Sequence, residues 1–210
     1  MKVTEISPQK NNKHRISVFV DGKYAFSLDE TDAVRLKIKV GRELTERDIE
    51  NCIMESGYSK ARELAFDILS RKPVTKKELG EKLTQKGYDE AIVCEVTEEL
   101  SELGYLDDEE YARLYLESCR AKLWGDKKIR YEMHQKGISD DIVSMVIEEN
   151  CDEDETDEIV RTIIAKYASS DLTDIKTKAK VTRYLASRGF DFSLINTCIH
   201  KAIEEVLQNE

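Results

Sequence analysis

The sequence predicts a mainly α protein, with three tandem three-helix (helix-turn-helix-like) repeats in an elongated array after a small N-terminal β-hairpin segment. Its 210 residues include only 9 glycines and 2 prolines, so few positions interrupt a helix. Residues 14–28 nevertheless alternate apolar and polar side chains, which is the pattern of a half-buried strand. From residue 58 onward, Gly87, Gly137 and Gly189 recur at spacings of 50 and 52 residues, which indicates internal repeats.

A β-hairpin is predicted around Asp21-Gly22, because glycine accepts a positive φ in a tight turn without steric cost. A strand near residues 2–7 would extend this hairpin. The sequence leaves two registers open, which differ in the length of the loop. A two-residue loop places Val18 opposite Ala25. A three-residue loop places six apolar residues on one face: Ile16, Val18 and Val20 with Leu28, Phe26 and Tyr24.

Two short helices are predicted to complete an N-terminal domain of residues 1–57. Ser27 and Glu30 have the spacing of a capping box, which predicts a short helix that ends by Gly41. Thr45 is predicted to start another helix, which runs toward Gly57.

The repeats align on their glycines with helical spacing on both sides. Apolar residues lie eight and four positions before each glycine, and one and five positions after it. A basic residue precedes each glycine, and an Asp or Ser two positions later is predicted to cap the next helix. The unit is therefore a helix, a glycine turn and a helix. The aligned apolar residues are Leu79, Ile129 and Val181; Leu83, Met133 and Leu185; Tyr88, Ile138 and Phe190; Ile92, Ile142 and Leu194.

Each unit has one further helix upstream, which gives three repeats of three helices. The predicted domains are 58–106, 107–151 and 152–210. The upstream helices are predicted over 59–71, 108–123 and 153–169, and the second helices are predicted to start at the caps Thr75, Asp126 and Asp174.

Charge is segregated among these helices. The whole chain carries a formal net charge of −10, which weighs against a protein that acts mainly by neutralising nucleic-acid phosphates. The third helices hold fourteen acidic residues and one lysine, whereas the second helices hold thirteen basic and five acidic residues. One interpretation is a bipolar array that fits both anionic and cationic surfaces, as a nucleoprotein offers. The other is that these are ordinary solvated faces.

Several motifs in the first two repeats resemble the RecX family of regulators of the bacterial RecA recombinase. The similarity covers residues 60–149 best, the segment YAFSL resembles the N-terminal extension of some members, and the third repeat fits by its architecture. The motifs are Gly104-Tyr105-Leu106-Asp107-Asp108, Tyr111-Ala112, Arg120, Gly125, Ile129 and Lys136-Gly137-Ile138.

The resemblance implies a non-enzymatic regulator that binds the RecA–DNA filament, with weak non-specific binding of free DNA. It implies modulation, mostly inhibition, of strand exchange, ATP hydrolysis and coprotease activity in DNA repair and the SOS response. The alternative is a helix-turn-helix-type regulator that acts on DNA directly, with its third helix in the major groove. The acidic third helices weigh against that alternative, because a DNA-reading helix needs positive charge.

The candidate binding site surrounds Trp124, the only tryptophan of the chain. Tryptophan among cations is a mixture that stacks on bases or anchors a protein interface. The other interpretation is that Trp124 closes the junction between repeats, with solvated lysines around it. The predicted site residues are Arg113, Arg120, Lys122, Trp124, Lys127, Lys128 and Arg130, with Lys76, Lys77, Lys82, Lys180 and Arg183 from the basic second helices.

No sequence signal indicates catalysis or a cofactor. The sequence has no Walker-type glycine loop, no HExxH and no GxSxG motif, and its three histidines are far apart, so we expect no enzymatic activity, metal or small-molecule substrate. No segment has the roughly 20 apolar residues of a membrane span, and we expect a cytoplasmic protein with no membrane partner. The 5 cysteines form no CxxC pair and are expected to be reduced and mostly buried.

Overall fold

The computed structural model describes residues 1–9, 14–150 and 155–208. Within these residues the chain forms one antiparallel sheet followed by a series of helices, which confirms the predicted mainly α class. The elements are β1 (Val3–Pro8), β2 (Arg15–Val20), β3 (Lys23–Asp29), α1 (Glu30–Arg35), α2 (Glu46–Leu69), α3 (Lys76–Gln85), α4 (Glu90–Glu102), α5 (Asp108–Arg120), α6 (Asp126–Gln135), α7 (Asp140–Glu149), α8 (Glu155–Lys166), α9 (Ile175–Ser187) and α10 (Phe192–Gln208).

The sheet has the order β1-β2-β3, and its hairpin combines both registers that the sequence left open. Asp21 and Gly22 have φ of 48° and 79°, which is the backbone of a two-residue type I′ turn. The register shifts beyond the turn because Ala25 is an extra residue on β3, a β-bulge. The bulge pairs Val18 with Phe26, so the large apolar side chains of the two strands share the buried face.

The predicted capping box at Ser27 is wrong. Ser27 is a buried residue of β3, and α1 begins one residue after Asp29, its N-cap. The strand extends past Ser27 because its alternating residues Phe26 and Leu28 fill the core beneath the sheet. The helix ends at Arg35, well before Gly41.

The helix predicted to end near Gly57 instead continues for three more turns, as the 24-residue α2. Thr45 caps it in a full capping box with Asp48. The helix belongs to two apolar cores, with Cys52 in the core under the sheet and Ala61 in the core of the first repeat. Burial on both sides of Gly57 outweighs the cost of about 1 kcal/mol that glycine imposes inside a helix.

The three repeats are formed by the C-terminal part of α2 with α3 and α4, by α5–α7 and by α8–α10. The glycines before the third helices have φ between 84° and 90°, the left-handed backbone that ends a helix. The aligned apolar residues of the second helices are fully buried, which confirms the alignment: Leu79, Leu83, Ile129, Met133, Val181 and Leu185.

Two of the three predicted second-helix caps are confirmed. The side chains of Thr75 and Asp174 accept hydrogen bonds from the backbone N–H three residues later. The predicted cap Asp126 is wrong, because Gly125 is the N-cap of α6 and Asp126 is already helical. The carboxylate of Asp126 instead bonds to Arg120.

The chain divides into two compact units, residues 1–106 and 107–210. The domain boundaries derived from the sequence stay a prediction, and the one placed after residue 57 lies within α2. Among the described cysteines, Cys52, Cys119 and Cys198 are buried and Cys94 is exposed, whereas Cys151 lies outside the described residues. In the described part of the chain, no helix has the length and apolar character that crossing a bilayer requires.

Substituting Thr75→Ala is expected to lower the free energy of unfolding by about 1 kcal/mol, because it removes the hydrogen bond to the Glu78 N–H from a buried helix start. Urea unfolding followed by circular dichroism measures the change. Thr75→Ser keeps the accepting hydroxyl and is expected to retain most of the stability. Equal stability of the wild-type and Thr75→Ala chains would contradict the capping role.

Candidate nucleic-acid and partner interface

The predicted site lies where α5 ends and α6 begins, in the unit 107–210. The turn between these helices requires Leu123 to adopt a φ of 55°, an uncommon value for a residue with a side chain. Leu123 packs on the apolar core of the third repeat, whereas Trp124 packs on the core of the second. The turn is thus held by both repeats.

The backbones of the two repeats meet at Gly125 and Gly189. The Gly125 N–H donates to the Arg188 carbonyl at 2.9 Å, and the Lys127 N–H donates to the Gly189 carbonyl at 3.2 Å. A Cβ on Gly125 would lie 2.6 Å from the carbonyl carbon of Gly189, and a Cβ on Gly189 would lie 2.5 Å from the backbone nitrogen of Lys128. Only glycine at both positions permits this approach.

Trp124 is half-buried, and two lysines flank its ring. The Lys128 Nζ lies 4.0 Å from the ring centroid and the Lys122 Nζ lies 5.5 Å from it, both within the range of cation–π attraction. A role of Trp124 in contacting nucleic acid or a partner stays a prediction. The indole packs against the second-repeat core and also holds two ammonium groups at the surface.

Four of the predicted cations near Trp124 have partners within the chain. Arg120 donates to Asp126 at 2.6 Å and to the Trp124 carbonyl at 3.2 Å, which fixes the turn. Lys127 pairs with Asp191 at 2.6 Å, and Arg130 donates to Ser144 at 3.0 Å. Arg113 forms salt bridges with Glu109 at 2.6 Å and Glu149 at 3.1 Å. Arg113, Arg120 and Lys127 therefore contribute less net positive charge to the surface than their number suggests, whereas the charge of Arg130 is not offset by the neutral hydroxyl of Ser144.

The Lys127–Asp191 pair joins the second and third repeats. Lys127 and the N–H of Ser193 both bond to the Asp191 carboxylate and lower its pKa to about 2. A depressed pKa means that this contribution to stability is present above the unfolded value near 3.9 and is lost as the pH falls through about 2. We expect an NMR titration to show this low pKa, and Lys127→Ala to move it back toward the ordinary value. An ordinary pKa in the wild-type chain would contradict the pair.

The remaining predicted cations lie on α3 and α9, in different units of the chain. Lys76 and Lys77 are exposed on α3, where Lys77 lies 3.9 Å from Glu81, and Lys82 is half-buried. Lys180 and Arg183 are exposed on α9, and neither has an ion-pair partner among the residues that the structure describes.

Sequence reasoning missed three residues that lie beside the Trp124 turn. Arg188 donates through Nη1 to the Lys122 carbonyl, and its guanidinium lies 5.1 Å from the Tyr184 ring centroid. Lys166 of α8 covers the same ring, with its Nζ 3.7 Å from the centroid. The spacing of four residues between Tyr184 and Arg188 is a helical signal that the sequence offered. No sequence signal connects Lys166 to that ring.

On α4, the acidic third helix of the first repeat, most glutamates are exposed and one, Glu99, is hydrogen-bonded to α2. Glu95, Glu98 and Glu102 are exposed on α4. Glu99 accepts hydrogen bonds from the Tyr58 hydroxyl at 2.5 Å and from Arg62 Nε at 3.0 Å. Burial and this carboxylate raise the pKa of Tyr58 well above its usual value. Most of the acidic side chains of α4 are therefore exposed to solvent.

Models of one protein family match the N-terminal segment and each of the three repeats. Four family models match in chain order: the regulatory protein RecX N-terminal domain over residues 1–45, and the first, second and third three-helix domains of RecX over 61–100, 107–147 and 153–199. A regulatory protein RecX from Clostridium botulinum (strain Eklund 17B / Type B) is 31% identical over 205 residues, which are 96% of each chain.

The chain spans little more than half the length of some curated relatives that it matches. A regulatory protein RecX from Listeria welshimeri is 34% identical over 156 residues, which are 74% of this chain and 58% of that protein.

A crystal structure of regulatory protein RecX superposes with a TM-score of 0.74 and 24% identity, covering 97% of this chain and 98% of the other. RecX from Lactobacillus salivarius gives a TM-score of 0.60 over 70% of this chain and 96% of the other, also at 24% identity. These two structures support the fold.

Fold and surface together define a helical-repeat protein, with a small N-terminal sheet and with charged faces on its repeats. Family models cover most of the chain, and the Clostridium relative matches it almost from end to end. The chain belongs to the RecX family of regulatory proteins.

Proposed function

We propose that the protein binds the RecA–DNA filament and modulates, mostly by inhibition, the recombinase, ATPase and coprotease activities of RecA in DNA repair and the SOS response. The observation that carries the proposal is the order of the four RecX domains along one chain. The regulator acts by binding alone and needs no cofactor or small-molecule substrate.

The segregated charges support a partner that offers both signs of charge. The exposed acids of α4 suit a basic protein surface, and the exposed cations of α9 suit nucleic acid or an acidic protein surface. A filament of protein on DNA presents both kinds of surface, so one regulator can contact it through its acidic helices and through its basic helices.

Capture by RecA filaments tests the proposal directly. RecA is assembled on single-stranded DNA, bound protein is measured by pull-down, and the RecA ATPase rate is titrated with the protein. We expect co-sedimentation with filaments and a dose-dependent decrease in ATP hydrolysis. RecA without DNA and DNA without RecA are the controls. Absence of both capture and any effect on the ATPase would contradict the proposal.

A second candidate is direct regulation of DNA by a helix-turn-helix repeat, which the three-helix units with their glycine turns favour. This candidate requires base-specific affinity for duplex DNA. We expect weak, salt-sensitive binding without sequence preference, because the acidic third helices repel phosphates. Competition between duplexes of different sequence distinguishes the two candidates.

A further inference from the structure

We propose that the second and third repeats jointly form a binding surface for nucleic-acid phosphates, in which aromatic rings hold the cations in place. The inference deepens the proposed function, since the filament supplies nucleic acid, and it assigns the side chains that would contact it. The cation–aromatic surface consists of Lys122, Trp124, Lys128, Lys166, Tyr184 and Arg188.

The cation–aromatic surface spans two repeats and exists in neither alone. Arg188 joins the two halves, because it donates to the Lys122 carbonyl and accepts through its own carbonyl from the Gly125 N–H. On one side, Lys122 and Lys128 flank Trp124, and on the other side the third repeat contributes a second ring with its own cations.

The cation–aromatic surface carries net positive charge. Among the residues that the structure describes, none of the four cations of this surface has an ion-pair partner. The nearby carboxylates of Asp126 and Asp191 are bonded to Arg120 and Lys127 respectively, so they offset other cations rather than these. The surface thus retains an excess of positive charge in a chain whose net charge is −10.

The aromatic rings of the surface favour nucleic acid over an acidic protein as its partner. An ammonium group that lies over a ring is held in position, which reduces the entropy lost when it contacts a phosphate. A guanidinium pairs in the same way with a phosphate and with a carboxylate, so the cations alone do not distinguish the two. Aromatic rings interspersed with cations are the combination with which proteins follow a nucleic-acid strand. Tyr184 and Trp124 supply two such rings, each only half-buried.

Trp124 allows a direct test, because it is the only tryptophan and its fluorescence reports contact at this surface. The full chain is titrated with single-stranded oligothymidylate and, separately, with duplex DNA, while the anisotropy of labelled DNA gives the affinity. We expect the Trp124 emission to change in step with binding of single-stranded or duplex DNA. Saturable binding without any change in Trp124 emission would overturn the inference.

Charge reversal tests the same surface by another route. Lys122→Glu with Lys166→Glu alters two exposed residues, and Lys60→Glu with Lys72→Glu is the matched control at exposed lysines of the other unit. We expect the first pair to weaken DNA binding roughly tenfold or more and to reduce its salt dependence, and the control to change it by about twofold or less. Equal losses in both double variants would overturn the inference, since binding would then follow net charge alone.

Two further measurements separate the remaining outcomes. Polyglutamate is the probe for an acidic protein: binding of polyglutamate that is as tight as DNA binding, and equally weakened by the Lys122 and Lys166 reversals, would overturn the assignment to phosphates. RecA filament capture is measured on the same variants. DNA binding through this surface with no filament capture leaves this inference intact and contradicts the proposed function. Filament capture by a chain whose cation–aromatic surface does not contact DNA would support the proposed function and overturn this inference.

Discussion

Replacing Gly189 by alanine is expected to lower the stability of the unit 107–210 by about 3 kcal/mol or more. The added Cβ would lie 2.5 Å from the Lys128 backbone nitrogen, and the backbone φ of 89° is strained for any residue with a side chain. Since the obstructing atoms are the backbone nitrogen, Cα and Cβ of Lys128, which cannot move without the backbone, relief requires the second and third repeats to separate. Urea unfolding monitored by Trp124 fluorescence measures the effect.

Substitutions at two further glycines measure separately the two causes of that loss of stability, which are backbone strain and the steric clash of the added Cβ. Gly87 has a φ of 90° with nothing within 4 Å of an added Cβ, so Gly87→Ala carries the backbone strain alone and is expected to cost about 1 kcal/mol. Because Gly87 lies in the unit 1–106 and Trp124 in the unit 107–210, circular dichroism measures this loss. Gly125 has a φ of −83°, so Gly125→Ala carries only the steric clash with Gly189 and Phe190. We expect the Gly189 variant to be the least stable of the three. Comparable losses at Gly87 and Gly189 would contradict a close junction.

Reversing Glu95, Glu98 and Glu102 to lysine is expected to weaken binding to RecA filaments and to raise the affinity for bare DNA. The three side chains are exposed on α4, and the change adds positive charge to the helix that a helix-turn-helix would place against the duplex. The fold is expected to survive, since exposed substitutions typically change stability by about 0.5 kcal/mol each. Filament capture and DNA anisotropy measure the two effects.

The control for this variant makes the same change in total charge elsewhere. Glu50, Glu63 and Glu117 are exposed on α2 and α5, and their reversal to lysine is expected to alter both affinities less. A folded α4 variant that inhibits RecA at the wild-type concentration and gains no affinity for DNA would show that the acidic faces are only solvated. The bipolar interpretation would then be abandoned, whatever the outcome for the filament itself.

The repeats were predictable because their information is local and periodic. The glycines at C-terminal helix ends and the apolar residues at helical spacing place Leu79, Ile129 and Val181 at equivalent positions, and all three are fully buried. Two of the incorrect predictions, at Ser27 and Gly57, arose where burial in a core outweighs a local signal. The capping box predicted at Ser27 does not form, because Ser27 in β3 pairs with β2 instead. The helix does not end at Gly57, because residues on both sides of it are buried in apolar cores.

The candidate site was only partly predictable, because its geometry depends on contacts that are distant in sequence. The cations around Trp124 are visible in the sequence, yet nothing in their pattern distinguishes the bonded Lys127 from the ring-held Lys128. The contact between Gly125 and Gly189 joins positions more than 60 residues apart, as does the hydrogen bond from Arg188 to Lys122. Periodicity within one helix carries no information about such contacts.

The continuous helix α2 fixes the rotational phase between the N-terminal sheet and the first repeat. Arg15 of β2 is buried and donates to Ser56 at 3.1 Å, and Ala61 begins the next core little more than one turn later. Inserting one residue between Ser56 and Ala61 would rotate one core about the helix axis by about 100° relative to the other and lengthen the helix by about 1.5 Å. This segment can accommodate only insertions that come close to whole helical turns. The helix therefore sets the angle between the core under the sheet and the core of the first repeat.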